Sequence, residues 1–137
     1  MRTDKQILHD KALGSLRSRM RVAGISCHVM PETNSHYDLH LSNGLKVEVK
    51  AARRRQGGKR EVSLSWCFNL HRHGQLDSRP LDFYALYCEL PTYGIWLIVP
   101  QKEIAGVLTL HINWRSMART YGQWERRFDL LTNKCQS

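Results

Sequence analysis

The stretch His36-Tyr37-Asp38-Leu39-His40-Leu41-Ser42-Asn43-Gly44-Leu45-Lys46-Val47-Glu48-Val49-Lys50 constrains the fold more than any other part of the chain. Both of its arms alternate with period two, the pattern of strands with one apolar and one polar face. Tyr37, Leu39 and Leu41 share a face of the first arm, and Leu45, Val47 and Val49 share a face of the second. Opposed residues of an antiparallel pair point to the same side, so the bend decides whether these two apolar sets meet. A two-residue Asn43-Gly44 bend sets Leu39 opposite Glu48 and Asp38 opposite Val49, which mixes charge with apolar groups on both faces. A three-residue bend, Ser42-Asn43-Gly44 with Gly44 left-handed, removes the conflict. Leu41 then faces Leu45, Leu39 faces Val47 and Tyr37 faces Val49. On the other face His40 meets Lys46, Asp38 meets Glu48 and His36 meets Lys50.

The remaining signals read as a helix, then strands, then a helical tail, which is an α+β plan. Residues 3–22 place Ile7, Leu8, Leu16 and Met20 largely on one side of a helix, with Thr3 as N-cap and Gly24 as its stop. Ser26 to Met30 reads as a short strand ended by Pro31, and residues 52–60 as a basic loop containing Gly57-Gly58. Strand patterns return at 62–70, 82–90 and 95–99, with Pro91-Thr92-Tyr93-Gly94 as the turn between the last two. Gln101 to Ala105 reads as one helical turn, 107–112 as a weak strand, and Tyr121 to Leu131 as a closing helix.

Composition narrows the function. The 137 residues carry 21 Lys plus Arg against 12 Asp plus Glu, a formal charge of +9. A polyanionic partner, most simply nucleic acid, follows from that balance. An apolar fraction of 42% excludes a histone or a disordered basic tail. No apolar run approaches the roughly 20 residues of a membrane span. Met1-Arg2-Thr3-Asp4-Lys5 leads into no apolar secretory segment. Cys27, Cys67, Cys88 and Cys135 form no CxxC pair, which reads as reduced thiols in a cytoplasmic protein. A GxxxxGK[ST] loop is absent, so a nucleotide cofactor is not expected.

The preferred register has a chemical consequence. Asp38 and Glu48 stand side by side with Cβ atoms roughly 5 Å apart. Like charges so placed are destabilising unless a cation offsets them, and hard oxygen ligands suit Mg²⁺ or Mn²⁺. Lys50 points to the same face and can orient a water or stabilise an oxyanion. Just downstream, Arg53, Arg54, Arg55, Lys59 and Arg60 can reach flanking phosphates. The plain alternative is a solvated polar hairpin followed by a solvated charge run. On that alternative the chain is a non-catalytic nucleic-acid-binding module. It gains nothing from acids beside its basic loop.

These residues resemble the PD-(D/E)xK nuclease superfamily. Tyr37-Asp38 is similar to its first half-motif and Glu48-Val49-Lys50 to its second, although tyrosine replaces the proline. Trp66-Cys67-Phe68-Asn69-Leu70 looks like its third core strand. Asp82-Phe83-Tyr84-Ala85-Leu86 and Ile95-Trp96-Leu97-Ile98-Val99-Pro100 look like the strand pair of small resolvase-like and homing-endonuclease-like members. The resemblance implies a single domain over 1–137 with a restriction-endonuclease-like fold, a central mixed β-sheet flanked by helices. It implies a DNA endonuclease that uses Mg²⁺, with Mn²⁺ as the alternative. Asp38, Glu48 and the Val49 carbonyl would be metal ligands, and Lys50 the catalytic lysine. Many relatives add an acid from the first helix. Asp10 is the nearest candidate here, Asp4 the next, and Glu32 on the loop is another. So small a nuclease has little surface with which to cut both strands, so a homodimer is expected. A nucleoid-associated protein, or one encoded by a mobile element or phage, fits the same reading, with a role in DNA recombination or repair.

Other candidates carry less. Cys67, His71 and His73 have zinc-like spacing without a nearby fourth ligand. His36 and His40 flank Asp38 and are candidates for a general base, with surface histidines the plainer reading. Trp66 and Trp114 are candidates for stacking on bases, whereas Trp96 and Trp124 read as core. Arg115, Arg119, Arg126 and Arg127 give the tail a basic face.

Overall fold

A computed structural model describes residues 2–31, 37–56, 64–72, 75–76 and 81–132. Helix α1 spans Asp4–Val22, and its start is fixed by a capping box in which Thr3 and Gln6 satisfy each other's backbone amides. Its buried stripe is Leu8, Ala12, Leu16 and Met20, at helical spacing. Ile7, expected on that stripe, is instead half exposed, because it lies one residue out of phase. Gly24 takes a φ of 82° just past the helix, which a residue with a Cβ adopts only under strain.

Strands β1 (Cys27–Val29), β2 (Leu39–Leu41) and β3 (Lys46–Arg53) follow, then β4 (Arg55–Gln56), β5 (Leu64–Asn69), β6 (His71–Arg72) and β7 (Gln75–Leu76). The chain continues through β8 (Phe83–Glu89), β9 (Gly94–Pro100), a 3₁₀ turn at Gln101–Ile104, β10 (Thr109–Asn113) and α2 (Trp114–Arg119). The central sheet has the order β1-β2-β3-β8-β9. It is mixed, because β3 and β8 pair in parallel while the other neighbours are antiparallel. The molecule is thus α+β. Helix α1 covers one face of this sheet, over Val47, Val49, Trp96 and Ile98. The other face is covered mainly by the small sheet β10-β5-β4, through Trp66, Phe68, Leu110 and Ile112. Each leucine or isoleucine buried this way contributes about 1.5–3 kcal/mol.

The β2–β3 hairpin has the three-residue bend that alternation requires. Leu39 pairs with Val47 and His40 with Lys46, Leu41 N–H donates to Leu45 O at 2.8 Å, and Gly44 has φ 95°. Four expectations are corrected. The basic segment after Lys50 is not all loop, since β3 runs on to Arg53 and Arg55 lies in β4. The third core strand is β8, in parallel register with Val47 to Arg53 of β3, whereas Leu64–Asn69 belongs to the second sheet. The closing helix is broken into a 3₁₀ turn at Tyr121–Trp124 and a short α3 at Asp129–Thr132. Between them Arg126, at φ 55°, donates its amide to the Trp96 carbonyl at 2.8 Å, so this segment serves the β9 edge rather than a helix. Finally, Trp66 is not free to stack on a base. It is fully buried, and its Nε1 donates to Glu89 O at 3.0 Å.

Candidate active site

Asp38 stands just before β2. Its amide donates to Val47 O at 3.1 Å, so the hairpin ladder ends there. Two residues further along β3, the Val49 N–H points the same way and finds no strand partner. The Asp38 carboxylate takes that place, with Oδ2 accepting from Val49 N–H at 2.8 Å. The side chain is therefore locked against the β3 backbone. Glu48, only 5% exposed, is the buried acid of the core, and its side chain hydrogen-bonds the Asp38 carboxyl. Two carboxyls in such contact need a shared proton or a cation between them.

Helix α1 supplies the third side of the site. His9 Nε2 lies 3.4 Å from Asp38 Oδ2. Burial pushes the Asp38 carboxyl up, but hydrogen bonds from His9, Glu48 and the Val49 backbone outweigh it and hold the group below its ordinary value. The same Asp38 hydrogen bond raises the His9 pKa above the usual imidazole value, against the opposing push of burial and with help from the charges of Asp38 and Asp10. A cavity of about 320 Å³ opens between α1 and β3. Arg2, Lys5 and His9 line it from the helix side, and Asp38, Glu48 and Lys50 from the hairpin. A second cavity of about 390 Å³ shares Lys5 and Ala51 with the first and carries Arg53 and Arg54. The two adjoin at the shared residues, one lined by the paired acids and the other by a basic flank.

The hairpin thus brings Asp38, Glu48, Lys50 and the Val49 backbone together. Arg53 is exposed and makes only a loose ion pair with Glu89 at 3.9 Å, while Arg54 is half-buried in the second cavity. The side chain of Arg55, and all of Glu32, His36, Lys59, Arg60 and His73, lie outside the described residues. Asp10 does not face the cavity, since it pairs with Arg2 and stands 4.0 Å from His9 Nδ1. Asp4 lines only the second cavity. His40 turns to the Tyr37 hydroxyl, 3.2 Å from Nδ1. Cys67 borders the second cavity, and its nearest candidate zinc partners fall outside the described side chains. Sequence reasoning missed His9, Arg2 and Lys5. The available signal for Lys5 and His9 was helical phase, because they lie four residues apart beside the buried Leu8 and Ala12, whereas Arg2 precedes the helix.

The donor set suits a hard divalent cation: two carboxylates in contact and a backbone carbonyl, beside a lysine. Among the described residues no three His, Cys, Asp or Glu side chains already enclose a metal position. The Val49 carbonyl and oxygens from solvent or substrate would have to complete the shell.

No protein-family model matches the sequence, and no curated protein gives a significant match. Among solved structures the chain is similar to a bacterial homing endonuclease, I-Ssp6803I, with a TM-score of 0.68 at 15% identity. The alignment covers 96% of this chain and 93% of that one. The fold is homing-endonuclease-like. Among the described residues no helix is long and apolar enough to cross a membrane.

Proposed function

We propose that the chain is a metal-dependent endonuclease of the homing type that hydrolyses phosphodiester bonds in DNA and works as a homodimer. The observation that carries this reading is the contact between Asp38 and the buried Glu48, with Lys50 in the same cavity, on a homing-endonuclease-like fold. Burying an acid against another acid costs stability, and a binding module has no use for it. A bound Mg²⁺ would supply the positive charge that draws in the scissile phosphate and offsets charge developing on it. Asp38, Glu48 and the Val49 carbonyl would hold that ion, Asp38 being fixed already by the Val49 amide.

Lys50 projects from β3 two residues beyond Glu48. Its ammonium orients the attacking water and stabilises negative charge on the phosphoryl oxygens. Arg2 and Lys5 on one side, and Arg53 and Arg54 on the other, hold the flanking phosphates by charge without reading sequence. A twofold pair of such sites would deliver one cut per strand. A protein of this kind associates with the nucleoid or is encoded by a mobile element or a phage.

The test is a Mg²⁺ cleavage assay on supercoiled, linear, single-stranded and four-way DNA. Wild type is expected to cut duplex DNA only with the cation. Lys50→Ala is expected to bind DNA normally and to lose about 10²–10³-fold in cleavage rate. Equal cutting by that variant, or cutting in chelator, refutes the assignment.

A further inference from the structure

Helix α1 brings a ring, not an acid, to the paired carboxyls. His9 Nε2 stands 3.4 Å from Asp38 Oδ2. Asp38, Glu48 and the Val49 carbonyl are the ligands assigned above, and His9 lines the same cavity as all three residues. Two donors bound in cis to one octahedral ion, with bonds of roughly 2.1 Å, sit roughly 3 Å apart. The observed 3.4 Å separation is a few tenths of an ångström from joint coordination. Behind the ring, Asp10 Oδ1 lies 4.0 Å from Nδ1, and the other Asp10 oxygen is held by Arg2. A carboxylate on the far nitrogen is the partner that orients a ligating imidazole.

We propose, building on the metal-dependent reading above, that His9 is a metal ligand through Nε2, with Asp10 as its positioning carboxylate. The cation then sits in a mixed nitrogen–oxygen shell. Mg²⁺ prefers oxygen and gives up water reluctantly, whereas first-row transition ions accept imidazole. Mn²⁺ is the member of that series that also suits carboxylate and carbonyl oxygens, so the site favours Mn²⁺ over Mg²⁺.

Calorimetric titration of the full chain with Mn²⁺ and with Mg²⁺, together with pulsed electron paramagnetic resonance of the Mn²⁺-loaded protein, tests this. Wild type is expected to bind Mn²⁺ about tenfold or more tighter than Mg²⁺ and to show a directly bound nitrogen. His9→Ala is expected to lose the nitrogen signal and about 10–100-fold in Mn²⁺ affinity, with little change toward Mg²⁺. The ring is about a third exposed, so that variant is expected to fold. Asp10→Asn, which keeps the ring, should retain the nitrogen signal and weaken Mn²⁺ by a smaller factor. Mn²⁺ binding that Asp38→Asn abolishes, but that shows no nitrogen and ignores His9→Ala, overturns the role of His9 and leaves the endonuclease reading intact. If no cation binds in an Asp38-dependent way, both fall.

Discussion

Two antiparallel hairpins of the central sheet, β8–β9 and β2–β3, are built on opposite principles. Strands β8 and β9 pair over seven positions, from Phe83↔Pro100 to Glu89↔Gly94, and each buries five consecutive apolar residues. Strands β2 and β3 pair over only two positions before Asp38 breaks the ladder, and β3 buries Glu48 in the middle of its run. Both faces of β8–β9 are covered, which explains why their sequences read as continuous apolar runs. The β2–β3 hairpin gives up ladder bonds so that one carboxylate can lie along the β3 backbone beside another. One hairpin supplies stability, and the other spends some of it to hold charge in place. Because β3 pairs in parallel with β8 from Val47 to Arg53, the acid-bearing hairpin is supported by the apolar one.

The largest test of this division is Leu97→Ala. Leu97 is fully buried in β9 between the sheet and its cover. Its truncation is expected to lower unfolding free energy by about 2–5 kcal/mol in denaturant titrations. Cleavage per folded molecule should not change. A loss of cleavage out of proportion to the folded fraction would mean that β8–β9 shapes the site directly, and the contrast would fail.

Glu48→Gln addresses the other hairpin. In chelator the amide can still hydrogen-bond Asp38 without a second negative charge, so stability is expected to equal or exceed wild type. Cation at about a hundred times its dissociation constant stabilises the wild type by about 2.7 kcal/mol. That gain should vanish in the variant, as read from thermal midpoints with and without Mg²⁺. A variant much less stable than wild type in chelator would make Glu48 a structural residue and erase the difference between the hairpins.

The same contrast explains what the sequence revealed. Register and bend in β2–β3 were legible because alternation over Leu39 to Val49 and a single glycine determine them locally. The Thr3 N-cap of α1 was legible for the same reason. The pairing of β3 with β8 is not local. It joins segments separated by all of β4 to β7, and an apolar run such as Leu64–Asn69 looks equally suitable from sequence. Trp124, Phe128 and Leu131 have helical spacing, yet Trp124 ends the 3₁₀ turn, Leu131 lies in α3 and Phe128 falls between, because the backbone there bonds to the β9 edge. His9 borders an apolar stripe, so the sequence alone does not single it out as a site residue. Only the placement of α1 over β3 shows which acid it meets.

The smallest expected effect separates the hairpins by their response to pH. His9 has a folded pKa raised above 6.5 by Asp38, so its contribution is fully present below that unfolded value and fades as pH climbs through the folded one. Asp38 has a folded pKa held below 3.8, so its contribution is present above 3.8 and fades only as pH falls through the lower value. Both are present together between about pH 5 and 6. In chelator, His9→Ala should therefore cost most stability in that window and progressively less above pH 7. The ring is 35% exposed and water screens the pair, so the difference should stay under about 1 kcal/mol. The Leu97→Ala deficit, which involves no charge, should stay level over the same range. A His9→Ala deficit that is equally level would mean that the ring meets Asp38 uncharged and contributes by packing alone, which would leave the acid pair without its cationic neighbour in the folded chain.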